Sequence, residues 1–152
     1  MQPRPRGQTL EQQRERFNAL PLYRQLGLTL EEARPGFARV AMATSPLTMG
    51  GVGGSVHGGL LAALVDIAML EAMFPAFEPD DQPAGTADLN ITYLRPALGP
   101  KVIAEGTLLR KGKTLAVTEV SIFDSDGNLC AKGRTIYVLR RRNGQVARLP
   151  QA

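Results

Sequence analysis

Residues 54–73 read Gly54-Ser55-Val56-His57-Gly58-Gly59-Leu60-Leu61-Ala62-Ala63-Leu64-Val65-Asp66-Ile67-Ala68-Met69-Leu70-Glu71-Ala72-Met73. Between Leu60 and Leu70 the one residue that is not apolar is Asp66. A helix that is apolar on every face is normally buried on every face. The stretch therefore predicts a long helix from about His57 to Met73, closed by Pro75 and Pro79, with the rest of the chain packed around it. The run from Leu60 to Met73 is broken by Asp66 and Glu71, and is read as too short and too charged to span a bilayer.

Downstream of the helix the period changes to two. Thr86 to Tyr93 alternates polar and apolar residues, as a half-buried strand does. Val102–Leu109, Thr114–Phe123 and Leu129–Leu139 read as three more strands. They are joined by Arg110-Lys111-Gly112-Lys113 and by a hairpin turn at Asp126-Gly127. Upstream, Gly27 to Ala43 splits at Arg34-Pro35-Gly36 into two alternating strands. Thr9 can cap a short helix ending before Pro21, and residues 22–26 can add a further helical turn. Residues 44–55 read as loop. Two strands, a buried helix and four strands make an α+β domain: a curved antiparallel sheet of about six strands wrapped around one long central helix. Residues 1–24 are read as a tail and short helix, 25–140 as the domain, and 141–152 as a polar tail entered through Arg140, Arg141 and Arg142.

Composition narrows the class. The chain has 152 residues, 43% hydrophobic and 21% charged, which fits one globular domain with a real core. Its single cysteine, Cys130, allows no internal disulfide and fits a reducing cytoplasm. With one histidine and one cysteine, no structural zinc site is expected. Residues 1–16 contain no apolar core of a signal peptide. The charge of +4 and pI near 9.6 favour an anionic ligand. The short N-terminal segment leaves no room for a recognition-helix module, so DNA binding is not expected.

Two features carry possible chemistry. Gly58 and Gly59 follow His57, the only histidine, at the start of the helix. A helix N-terminus offers unpaired N–H groups and partial positive charge, and two glycines would let another molecule approach it. There a carbonyl oxygen gaining negative charge would be stabilised. The plainer reading is a glycine-rich turn with a capping histidine. Asp66, in the most apolar part of the chain, must be paired, protonated or facing a cavity. The plainer reading is an aspartate held by a basic group or a backbone N–H. Nine residues separate His57 from Asp66, a rise of about 13 Å ending on opposite sides of the helix. One helix cannot bring them together; two copies running antiparallel across a two-fold axis can.

His57-Gly58-Gly59 followed after six residues by Asp66 resembles the signature of hotdog-fold acyl-CoA thioesterases of the phenylacetate-pathway (PaaI) type. Asp88-Leu89-Asn90-Ile91-Thr92-Tyr93-Leu94-Arg95-Pro96-Ala97 resembles the family's next strand, and Lys111-Gly112-Lys113-Thr114-Leu115-Ala116 its following hairpin. The three motifs occur in order over residues 25–140. The resemblance implies hydrolysis of an acyl-CoA thioester to free acid and coenzyme A, in a homodimer or a dimer-of-dimers tetramer, with no cofactor beyond the coenzyme A of the substrate. It makes Asp66 the general base or nucleophile, Gly58 the backbone N–H that polarises the thioester carbonyl from the other subunit, and His57 an orienting group. Thr86 stands where some relatives place the water with a serine. Gly59, Gly51, Ser55 and Asn90, with Arg110, Lys111, Gly112, Lys113 and Thr114, are implied to line the substrate. The basic hairpin would meet the coenzyme's phosphates; the plainer reading is a solvated tip. At Gly51 the family often has an asparagine, so either Ser55 substitutes for it or activity is reduced or redirected. Two alternatives are a non-catalytic acyl-CoA binding or sensing protein and a hydratase or dehydratase. Hydratase relatives place the acid before the histidine, the reverse of this chain.

Overall fold

The computed structural model describes residues 7–141. Thr9 caps α1 (Leu10–Asn18) through a reciprocal capping box with Gln12, and α2 (Pro21–Gln25) starts on its proline. β1 (Leu28–Arg34) and β2 (Phe37–Ala43) form a hairpin about Gly36. A short 3₁₀ turn, Val52–Gly54, leads into α3 (Gly58–Met73), and a second, Phe74–Ala76, leaves it. β3 (Asp81–Tyr93), β4 (Lys101–Lys111), β5 (Leu115–Phe123) and β6 (Leu129–Arg141) complete the fold. The six strands form one antiparallel sheet in the order β1-β2-β4-β5-β6-β3.

The sheet seats α3 by leaving out side chains beneath it. A Cβ at Gly106 of β4 would lie 2.8 Å from the Ala68 carbonyl oxygen, and one at Gly133 of β6 would lie 2.6 Å from Val65 Cγ1. Leu61, Leu64, Val65, Ala68, Met69, Ala72 and Met73 are buried against Val40, Met42, Val102, Ala104, Val120 and Ile122 of the strands. The N-terminal helices belong to this core rather than to a tail: Phe17 and Tyr23 are buried, their rings tilted at 45° with centroids 4.5 Å apart.

Four expectations need correction. The helix is not covered on every face: Gly59, Ala62, Ala63, Asp66 and Leu70 form a stripe that remains partly exposed. These positions recur at intervals of three and four, so they share one face, the one the curled sheet does not reach. β3 starts at Asp81, five residues earlier than the alternation shows, because Pro83, Gly85 and bulges at 83/85 and 86/88 break the period. β6 runs through Arg140 to Arg141, so the polar tail starts later; Arg142 and residues 1–6 lie outside the described residues. Finally, the 19-residue stretch Gly58–Ala76 is long and apolar enough by composition to cross a membrane, with mean hydropathy 1.7 over an 18-residue window. In the fold it is the core helix.

The two sheet edges differ. Along β1, Arg14 of α1 donates to the carbonyls of Leu30 (2.8 Å) and Glu31 (2.6 Å). Along β3, Ala84, Thr86, Ala87, Asp88, Asn90, Thr92 and Tyr93 are exposed, and no described segment covers them. At the start of β3, Asp81 Oδ2 meets Lys111 Nζ of β4 at 2.6 Å. In a flat sheet three strand spacings, about 14 Å, would separate these strands. A lysine cannot span that, so the contact reflects the curl.

Candidate active site

The entry to α3 is fastened on two sides. His57 N–H donates to the Thr48 carbonyl (2.9 Å) and Val56 N–H to the Ala97 carbonyl (3.1 Å). His57 is the N-cap, and its Nδ1 accepts from Gly59 N–H at 3.0 Å. A histidine that accepts at Nδ1 carries its proton on Nε2 when neutral. The glycines do not leave open space. A Cβ on Gly59 would meet the His57 ring at 3.1 Å, and one on Gly58 the Tyr93 ring at 3.3 Å. Of the two N–H groups, Gly59's is occupied by His57, while Gly58's has no partner among the described residues. Gly58 lines a cleft of about 430 Å³ together with Val52, Ser55, Val56, Leu61, Tyr93 and Leu94 among others.

Asp66 lies two turns farther along, on the partly exposed stripe. Its Oδ1 accepts from the Thr86 hydroxyl of β3 at 2.7 Å. So the carboxylate is neither unpaired nor sealed in the core; a neutral donor holds one oxygen and leaves the other for a proton. Asp66 and Gly58 are eight residues apart on one straight helix, about 12 Å. One chain thus presents a carboxylate–hydroxyl pair and a helix N-terminus, separated by more than a thioester spans.

The thioesterase superfamily model matches residues 53–131, which carry the glycine pair, α3, β3 and both hairpin strands. The chain belongs to the thioesterase superfamily. It is a thioester hydrolase with the hotdog fold. It is 30% identical over 133 residues to the medium/long-chain acyl-CoA thioesterase YigI of Salmonella typhimurium, covering 79% of this chain and 86% of the relative. It is 37% identical over 109 residues to human acyl-coenzyme A thioesterase 13, covering 70% and 76% respectively. A thioesterase of Haemophilus influenzae shares the fold with a TM-score of 0.79 at 22% identity, over 91% of this chain and 94% of that one. A variant of the phenylacetic acid degradation protein PaaI of Thermus thermophilus gives 0.68 at 27% identity, over 78% and 98%.

In this thioesterase the remaining candidates fall into separate places. A Cβ at Gly51 would lie 2.3 Å from Ser55 Oγ and 2.7 Å from the Val56 carbonyl oxygen, so the buried Ser55 side chain occupies that space. Asn90 is exposed on β3, across from Arg134. On the β4–β5 hairpin, Arg110, Lys113 and Thr114 are exposed, and Gly112 N–H closes the turn on the Leu115 carbonyl at 2.8 Å. Lys111 is different: it is 14% exposed and its ammonium is committed to Asp81, whose side chain is fully buried. It ties the sheet ends together rather than projecting to an anion. Cys130 is buried, its thiol pushed up by burial and by the Asp124 carboxylate, as a core residue should be. Sequence reasoning missed Tyr93 as a neighbour of Gly58; nothing local links residues 35 apart.

Proposed function

We propose that this thioesterase hydrolyses acyl-CoA thioesters at sites shared by two chains. Asp66 of one chain takes the proton from an attacking water, or attacks itself, with Thr86 holding the carboxylate and the water. Gly58 N–H of the other chain receives the carbonyl oxygen as it gains charge. The observation that carries this reading is the pairing of Asp66 with Thr86 on the uncovered stripe of α3, with Gly58 N–H free but about 12 Å away along the same helix. The sheet edges support the two-chain arrangement. β1 is blocked by Arg14, while β3 is uncovered and carries Thr86, so a second copy meeting β3 would also cover the stripe. A homodimer, or a tetramer built from it, is the assembly that this reading requires.

Acyl-CoA as substrate rests on the acyl-CoA thioesterases among its relatives and on the exposed Arg110 and Lys113 beside the hairpin turn. Ser55 takes the space that a side chain at 51 would fill, and supplies a hydroxyl at the carbonyl end. A non-catalytic acyl-CoA binding role is the second reading, and the absence of a side chain at Gly51 is what favours it. Turnover of aryl, short-chain and long-chain acyl-CoA esters by the purified protein, beside Asp66→Asn, separates the two. The thioesterase reading expects hydrolysis that falls about 10²–10⁴-fold in the variant with its fold intact. Binding of the esters with no turnover in either protein would establish the second reading.

A further inference from the structure

The Gly58–Gly59 peptide is held from both ends. Its carbonyl oxygen, on Gly58, accepts from the Tyr93 hydroxyl at 2.8 Å. Its N–H, on Gly59, donates to His57 Nδ1 at 3.0 Å. Neither glycine has a positive φ, so the backbone conformation does not require glycine at either position. Packing tightens both positions: a Cβ would lie 3.3 Å from the Tyr93 ring at 58 and 3.1 Å from the His57 ring at 59, so each ring would have to give by a few tenths of an ångström. Tyr93 is the last residue of β3 and lines the same cleft as Gly58. It stays half exposed, at 51%, so core burial does not account for it.

We propose that Tyr93 is a positioning residue of the thioester site, a claim that rests on the function proposed above. Hydrogen bonds in series polarise one another. The Tyr93 bond to the peptide carbonyl strengthens Gly59 N–H as a donor, which keeps His57 Nδ1 an acceptor and its proton on Nε2. The same bond fixes the tilt of the first turn of α3, and with it the direction of Gly58 N–H. Tyr93 touches no reacting atom; it acts through that peptide.

Tyr93→Phe keeps the ring and the cleft wall and removes the hydroxyl. Because small misplacement of a catalytic group is costly, kcat should fall about 10- to 100-fold. KM should stay within about twofold, since the substrate's apolar contacts are retained. The melting temperature should be that of wild type. His57 is the only histidine, so nitrogen-labelled protein gives one pair of ring resonances. With the ring neutral, wild type should show Nε2 protonated and Nδ1 bare, and Tyr93→Phe should move both signals towards a mixture of tautomers. Wild type with its proton on Nδ1, or a variant with unchanged kcat and unchanged ring signals, overturns the proposal. Wild type inert towards every ester would defeat the thioesterase reading instead, and the ring signals would still decide the role of Tyr93.

Discussion

Asp66 accepts the Thr86 hydroxyl through Oδ1 on the partly exposed stripe of α3, and in the proposed reaction its other oxygen is the one that takes the proton of water. That division of labour is why Asp66→Asn should cost about 10²–10⁴-fold in kcat while the helix stays folded. The lysines of the β4–β5 hairpin, alike in sequence, should behave differently. Lys111→Ala removes one ionic partner of the fully buried Asp81 carboxylate. Breaking a buried pair costs up to about 3–5 kcal/mol. Glu78 N–H also donates to Asp81 at 2.7 Å, which softens the loss. Thermal melting should show Lys111→Ala well below wild type and Lys113→Ala level with it. Steady-state kinetics should show Lys113→Ala raising KM at low salt, an effect that fades as salt rises. Equal melting temperatures would place Lys111 at a solvated tip. Asp66, Gly58 and His57 stand out in the sequence because each breaks a local pattern, an acid in an apolar run and glycines at a helix start; what the structure adds is the Thr86 hydroxyl on Asp66 and His57 as the cap of α3. The commitment of Lys111 to Asp81 was not legible, since it depends on the curl that brings β4 to β3.

The elements were legible where their periodicity is strong. α3 and the paired strands β4, β5 and β6 follow their hydrophobic patterns to within a few residues. The start of β3 does not, because its bulges shift side chains between faces. The seating of α3 could not be read either: Gly106 and Gly133 look like strand glycines, yet each marks a close approach of the helix. Gly106→Ala would push a Cβ to 2.8 Å from the Ala68 carbonyl oxygen, a backbone atom that cannot rotate away. Overpacking of this kind costs about 1–3 kcal/mol. Each kcal/mol lowers the melting temperature by roughly 2–4 °C in a chain of this size. A scanning melt that finds Gly106→Ala as stable as wild type would mean that α3 does not sit this close to β4.

At the scale of the whole molecule, one chain holds both halves of the proposed chemistry but not in one place. The carboxylate end and the N–H end of α3 are about 12 Å apart, and the sheet leaves the carboxylate stripe and the β3 edge uncovered together. The separation along the helix was legible in the sequence. The blocked β1 edge was not, because Arg14 reaches it only through the packing of α1. Mixing two disabled chains tests the shared site most directly. Asp66→Asn lacks the base, and Gly58→Pro lacks the N–H. Proline is tolerated at the first helical position, His57 before it, at ψ 130, already has the extended backbone that a proline requires, and the proline Cβ, 3.3 Å from the Tyr93 ring, asks that half-exposed ring to shift by a few tenths of an ångström. Circular dichroism checks that both variants fold, and each alone should be nearly inactive. A mixed dimer contains one site with Asp66 from one chain and Gly58 from the other both intact, and one site with both defects. Co-refolding equal amounts should restore activity up to about one quarter of wild type, half the dimers being mixed and half their sites whole. Mixed dimers that demonstrably form yet hydrolyse no more acyl-CoA than the separate variants would contradict the two-chain site.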